Sequence, residues 1–362
     1  MSATVTPRTY VLNIAPRTFL MNAVLLICSV AIALFITEAY FRWFNPQPII
    51  PRYVETSPYG IRKNIGNVRG TMIVPEYRHA FTTNSQGFRG MKEYSLQKPP
   101  GVYRVIVLGD SVALGHGVED SETFAAVLER ELSKSRPTEV INMGVSGFGT
   151  AEELIQLQHV GWAYQPDLIV LTYFQNDPYN NVVSKLFAVE NNTLIQSEKS
   201  FVPAIFIRDR LYSIPGYSWL CQRSHLMNFV RNRFSAIFTQ KLARENRIGI
   251  ETTDLLTPDE AQLTQFLLNA FIAETRSHRV PLMIVNVPLV AEGKLISNFS
   301  AEELQTDREW MMVVDMKKDV YETHPVTDLS YEKDAHPTPY GHRLIGERLA
   351  EVIQSRFMGN ER

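Results

Sequence analysis

The chain has 362 residues, 45% hydrophobic and 20% charged, with a formal net charge of −2. That length allows one large α/β domain with appendages, and the near-neutral balance supplies no basic field of the kind that draws a protein to nucleic acid. Cys28 and Cys221 are the only cysteines, which excludes a disulfide framework and a multi-cysteine metal site.

The first element is "FLMNAVLLICSVAIALFIT", residues 19–37, which carries no charge. At about 1.5 Å per residue such a helix crosses a hydrocarbon core of ~30 Å. Arg8 and Arg17 precede it, and Tyr40, Phe41, Trp43 and Phe44 follow in the manner of an interfacial belt. Apolar residues continue through Ile36, a long run for a signal peptide. The expectation is a transmembrane signal-anchor over 19–41 behind a cytoplasmic tail over 1–18. Ala31 and Ala33 form an A-x-A, so a cleaved signal is the alternative. Residues 45–60 hold four prolines and read as an extended linker. Residues 42–100 as a whole are expected to be linker plus a β-rich extension, with a turn at Asn84-Ser85-Gln86-Gly87.

From Tyr103 onward strands and helices alternate. "YRVIVLG" is a nearly unbroken apolar run, as a strand buried on both faces requires. Residues 121–135 have helical spacing at Phe124, Val127, Leu128 and Leu132, with Ser121 placed to cap them. A second strand is expected over 139–144. A helix over 150–162 follows, with Thr150 and Glu153 as its capping box. A third strand spans 167–174. A helix over 257–278 has Pro258 in its first turn; a strand over 281–289 and a closing helix over 338–357 complete the pattern. Such alternation predicts a parallel sheet flanked by helices, an α/β domain over 101–362. Residues 179–256 are less regular and read as an insertion that roofs the site.

In open α/β sheets the ligand site lies beyond the carboxyl ends of the strands. The first strand ends in Asp110-Ser111, the second in "GVSGFGT" with Gly147, the third in "QND" with Asn176; "KDAHPTPYGH", with Asp334, His336 and His342, precedes the last helix. A hydroxyl, a glycine backbone, an amide and an Asp/His pair on one edge supply a nucleophile, a base, an orienting acid and oxyanion donors, the inventory of acyl transfer. No P-loop is present, because "GDSVALGHG" lacks the lysine that phosphate binding uses. Each residue has a plainer reading: Ser111 as a helix cap, Gly147 as a turn glycine, Asn176 as a turn residue. His342 reads as a packing or capping histidine, Asp110 as an organiser of the nucleophile loop, and Arg89 as a residue that reaches the site or pairs with a carboxylate.

Four blocks, "VLGDSVALGHG", "NMGVSGFGT", "FQND" and "DAHPTPYGH", resemble in order those of the SGNH hydrolases, or GDSL-type esterases, over roughly residues 103–356. The resemblance implies a three-layer α/β/α, flavodoxin-like fold with a mostly parallel sheet. It implies Ser111 as nucleophile, His336 as base, and the Ser111 and Gly147 N–H groups with the Asn176 amide as the oxyanion hole. The acid and base are spaced D-x-H, one residue closer than D-x-x-H. In extended chain i and i+2 point the same way, so Asp334 addresses His336; Glu332 and Asp328 are the alternatives. Together with "TNSQGFRG" and the N-terminal span, the blocks resemble bacterial membrane-anchored members. The expected activity is therefore ester hydrolysis on an ester-bearing small molecule or polysaccharide, such as an O-acetylated carbohydrate or cell-envelope polymer. The catalytic domain is expected on the periplasmic or extracytoplasmic side, with no organic cofactor or metal. The alternatives are a polysaccharide O-acyltransferase and a non-catalytic envelope assembly protein.

Overall fold

A computed structural model describes residues 16–197, 205–245, 256–300 and 310–357. The expected cytoplasmic tail lies largely outside the described residues, as do two parts of the expected insertion. Helix α1, Pro16–Phe44, has 29 residues, and its apolar window is not buried by any other part of the chain. By length and composition it suits a membrane span or a signal sequence.

The central sheet has five parallel strands: β1 (Tyr103–Leu108), β2 (Thr138–Asn142), β3 (Leu168–Phe174), β4 (Leu282–Val287) and β5 (Met311–Asp315). Their order across the sheet is β5-β4-β3-β1-β2. This is the flavodoxin-like order, which reverses direction between β1 and β3 and opens a crevice there. The helices are α2 (Ser111–Leu114), α3 (Phe124–Leu132), α4 (Thr150–His159), α5 (Asp177–Ser184), α6 (Ile205–Tyr212), α7 (Tyr217–Cys221), α8 (His225–Glu245), α9 (Pro258–Ser277), α10 (Val326–Leu329) and α11 (Pro339–Arg356).

Strand periodicity divides the core in two. Val105 and Val107 of β1 face one side with Phe124 and Leu128 of α3 and Ile345 and Leu349 of α11. Ile106 and Leu108 face the other, with Leu154 of α4 and Leu267 and Phe271 of α9. Strand side chains alternate across a sheet, so a strand buried at every position, as β1 is, needs helices on both faces, and the three-layer α/β/α fold follows. Each fully buried side chain of this kind contributes about 1.5–3 kcal/mol. The extension before β1 forms short hairpins, Val54–Thr56 with Arg62–Asn64 and Arg69–Ile73 with Arg78–Thr82. Tyr53, Val54, Met72 and Phe81 pack there against Leu114 of α2.

Several local expectations shift. Ser121 does not cap α3: Thr123 does, its hydroxyl accepting from Ala126 N–H at 3.2 Å. Helix α4 is capped one residue early, at Gly149, whose N–H donates to Glu152 rather than Glu153 at 3.1 Å. Strand β5 was not expected; it is a short edge strand with half-exposed positions. In the expected insertion α6 sits on the extension, with an Arg52–Asp209 ion pair of 2.8 Å and Arg208 donating to the Val54 carbonyl at 2.7 Å. Its last helix, α8, meets the end of α1.

Candidate active site

Strand β1 runs straight into helix α2 through Gly109. A Cβ at Gly109 would lie 2.6 Å from Ala113 Cβ and 2.8 Å from Thr172 Cβ, so the turn that presents Ser111 has room only for glycine. Gly109→Ala is expected to cost roughly 1–3 kcal/mol through overpacking, read as a lowered melting temperature. Asp110 caps α2, its carboxylate accepting from Val112 N–H at 2.8 Å. Ser111 is thereby the first residue of the helix and not its cap. Val145 N–H donates to the Gly109 carbonyl at 3.0 Å, and Asn142 donates to the Ala113 carbonyl at 2.7 Å. These bonds lock the loop after β2 onto the loop after β1.

Ser111 Oγ lies 2.8 Å from His336 Nε2. On the far side of the imidazole, Nδ1 contacts Asp334 Oδ1. Asp334, rather than Glu332 or Asp328, is the carboxylate that reaches the ring. The chain between acid and base is not extended, as expected, but turned: Ala335 has φ +62°, and Tyr331 N–H donates to the His336 carbonyl at 3.0 Å. A left-handed residue between them brings the Asp334 and His336 side chains into contact within a tight turn.

Sequence reading missed what holds this turn. Tyr77 donates its hydroxyl to Asp334 Oδ2 at 2.8 Å. Glu76 accepts from the Lys333 and Asp334 N–H groups at 2.9 and 2.8 Å, and Tyr331 donates to the Gly117 carbonyl at 2.8 Å. No local pattern marks Tyr77, whose partner is 257 residues away. Burial pushes the Asp334 carboxyl up, but the hydrogen bond and charge of His336, then the Tyr77 hydroxyl, outweigh it and hold Asp334 below the usual aspartate range. Asp334 is thus an anion beside the imidazole at neutral pH.

Behind His336 lies His116, with ring centroids 5.1 Å apart. His116 Nε2 is 2.9 Å from both Tyr53 Oη and Ser146 Oγ. Burial, then the His336 charge, holds His116 well below the ordinary histidine value, so it is a neutral wall against the His336 ring. This network sets the 145–148 loop beside the triad. In that loop Gly147 has φ +76°, and a Cβ there would meet the Arg62 guanidinium at 2.3 Å. Arg62 donates to the Gly147 carbonyl and, at 3.3 Å, to that of Ser146. Asn176 caps α5 at the end of β3, on the other side of the crevice, and its side chain hydrogen-bonds Asp110. Arg89 pairs with Asp120 at 2.6 Å and donates to the Val118 carbonyl at 2.8 Å, which holds the loop after Ser111. His342, in the first turn of α11, is buried against the start of α3, accepting from Phe124 N–H at 3.2 Å; burial pushes it down to about 3. No group of three or more histidine, cysteine or carboxylate side chains suited to a metal forms among the described residues.

Beneath the nucleophile lie Asp110, Glu153 and Asp177, all fully buried. Among the described residues neither Glu153 carboxyl oxygen has a hydrogen-bond partner, nor does Asp177 Oδ1. Burial first, then the neighbouring Asp110 and Glu152 charges, raises Glu153 well above the ordinary glutamate value of 4.5. A carboxyl raised on folding holds a proton that the unfolded chain releases. Its stabilising contribution is therefore complete below about pH 4.5 and is lost as pH rises through the folded value. Glu153→Gln, neutral at every pH, is expected to raise the melting temperature at about pH 8 and change it little at about pH 4, measured by thermal scans at both.

The fold and these contacts define an α/β domain with a serine–histidine–aspartate constellation at the topological switch point. No family model and no curated protein matches the chain. Solved structures that resemble it include a lipase/acylhydrolase from Enterococcus faecalis, at 18% identity and TM-score 0.37, covering 70% of this chain and 96% of that one. Others are a G-D-S-L family lipolytic protein from Desulfitobacterium hafniense (13%, TM-score 0.37, 69% and 98%) and an acetyl xylan esterase (11%, TM-score 0.39, 69% and 99%).

Proposed function

We propose that this chain is a serine esterase of the SGNH type, held at a membrane by α1 with its catalytic domain on the extracytoplasmic side. The observation that carries the reading is the 2.8 Å approach of His336 Nε2 to Ser111 Oγ with Asp334 on the opposite ring nitrogen. Hydrogen-bond distance is what a base needs to take the proton of its nucleophile.

In this mechanism Ser111 Oγ attacks the ester carbonyl carbon as its proton passes to His336 Nε2. Asp334, fixed by Tyr77 and Glu76, keeps the proton on Nδ1 and stabilises the imidazolium. The carbonyl oxygen becomes an oxyanion, held by the Ser111 and Gly147 N–H groups and the Asn176 amide. Collapse of the tetrahedral intermediate breaks the bond to the alcohol oxygen, which leaves with the proton from His336. Water then attacks the acyl-serine, gives a proton to His336, and the carboxylic acid departs as Ser111 regains its proton. The acyl group we assign is acetyl on a carbohydrate or cell-envelope polymer, a reading that rests on the resemblance of the four blocks and the N-terminal span to bacterial membrane-anchored members and on the membrane-type helix.

The test uses the full chain in detergent, treated with a fluorophosphonate and assayed on p-nitrophenyl acetate and acetylated xylan. Adduct at Ser111, found by peptide mass spectrometry and lost in His336→Ala, is the expected result. A folded chain that neither labels nor releases acetate overturns the esterase reading.

A further inference from the structure

The inserted helices carry apolar side chains on the outside. Ile207, Ile214, Trp219, Val230, Phe234 and Ile237 are all exposed, Trp219 at 57%, Phe234 at 70% and Ile237 at 64%. Val230, Phe234 and Ile237 recur at i, i+4 and i+7, which is one face of α8. Single exposed apolar residues are ordinary, but a helical stripe of them with a neighbouring tryptophan marks an interaction surface.

Two observations identify what covers it. The first is position. Helix α8 begins at the last turns of α1, where Tyr40, Trp43 and Phe44 lie exposed. Glu38 of α1 caps α8, accepting from the Ser224 hydroxyl at 2.8 Å and from the His225 and Leu226 N–H groups at 3.0 Å each. Phe41 stacks on Phe229 at 4.4 Å. Arg42 donates to the Arg223 carbonyl at 2.7 Å, and Gln47 N–H to His225 Nδ1 at 2.9 Å. This packed joint places the start of α8 at the depth where α1 would leave the bilayer, with its aromatic residues at the headgroup level. The second is charge. Residues 205–237 contain five arginines and one acidic residue, Asp209, which already pairs with Arg52. Arg223 lies over the Trp219 ring at 5.2 Å and Arg233 over the Phe229 ring at 5.4 Å. Exposed apolar and aromatic side chains interleaved with arginines are the composition of a helix that lies in the interface of an anionic bilayer.

We propose that α6–α8 form a second membrane contact, docking on the anionic lipid surface around α1. This rests on the anchoring part of the proposed function. Because α6 is pinned to the strand at Val54 through Asp209 and Arg208, and Tyr53 reaches His116, the docked helices fix the orientation of the catalytic crevice relative to the bilayer.

The experiment reconstitutes the full chain in nanodiscs of phosphatidylcholine, with or without phosphatidylglycerol, using brominated acyl chains to quench tryptophan. Trp219→Phe and Trp43→Phe assign the quenched signal to each ring. The expected result is a Trp219 component that is quenched in discs containing phosphatidylglycerol and is lost in phosphatidylcholine alone. It is lost also in the Arg223→Gln, Arg233→Gln double variant. Trp219 quenched equally in both lipids overturns the anionic contact. Trp43 quenched with Trp219 unquenched overturns the second contact and leaves the anchor standing, whereas neither quenched overturns both. Trp219 unquenched together with cross-links between Phe234→Cys copies assigns the face to a second chain and overturns the proposal.

Discussion

Replacing His336 by alanine is expected to lower kcat on p-nitrophenyl acetate by about 10⁶-fold, the loss seen when the histidine of a serine–histidine–carboxylate triad is removed. The reason is local. Ser111 Oγ has one other hydrogen bond among the described residues, to Asp110 Oδ2 at 3.4 Å, which is too long to move a proton efficiently. Asp110 is also committed elsewhere, to the Val112 N–H and the Asn176 side chain. His336 is only partly buried, so its removal should leave the melting temperature nearly unchanged. Parallel measurement of turnover and thermal unfolding checks both halves; a retained rate would remove the acyl-serine mechanism.

Asn176→Ala is expected to reduce kcat by about 10²–10³-fold with little change in KM. An oxyanion donor meets full charge only in the transition state, so its loss does not weaken substrate binding in the ground state. The variant should still label with a fluorophosphonate, slowly, because Ser111 and His336 keep their contact. His336→Ala should not label at all. That contrast in labelling, together with the kcat–KM split, separates an oxyanion role for Asn176 from a role limited to holding Asp110.

Strands β1, β3 and β4 were legible because apolar residues fall on both of their faces, a pattern that a sheet covered on both sides satisfies. Strand β5 was not, since Met311–Asp315 is short and half-exposed and reads like loop. Capping failed at two helices for different reasons: at α3 two hydroxyl residues competed and the helix starts after Thr123 rather than Ser121, whereas the α4 cap, Gly149, has no side chain to mark it and is held by its N–H to Glu152. At the site, Ser111, Asp334 and His336 stood out by position after a strand or before a helix, and they meet in space. Tyr77, Glu76, Tyr53 and Ser146 are long-range partners from the extension and the second loop, and nothing in their own neighbourhoods marks them. The turn at Ala335 was read as extended chain because alanine gives no sign of a left-handed conformation, which it adopts only when surrounding bonds impose it.

Under the proposed mechanism, that turn makes the acid and the base a prefabricated pair. Asp334 and His336 align through contacts only two residues apart, so bringing the pair to Ser111 needs one long-range event: seating segment 330–337 against Tyr77, Glu76 and Gly117. The segment is continuous with α11, which closes one face of the sheet. Partial detachment of this edge would separate base from nucleophile while most of the sheet stays intact, since local openings require less free energy than global unfolding. On the proposed mechanism, activity is therefore a latch reading: it reports whether the C-terminal piece is clipped to the N-terminal extension, well before the body of the domain comes apart.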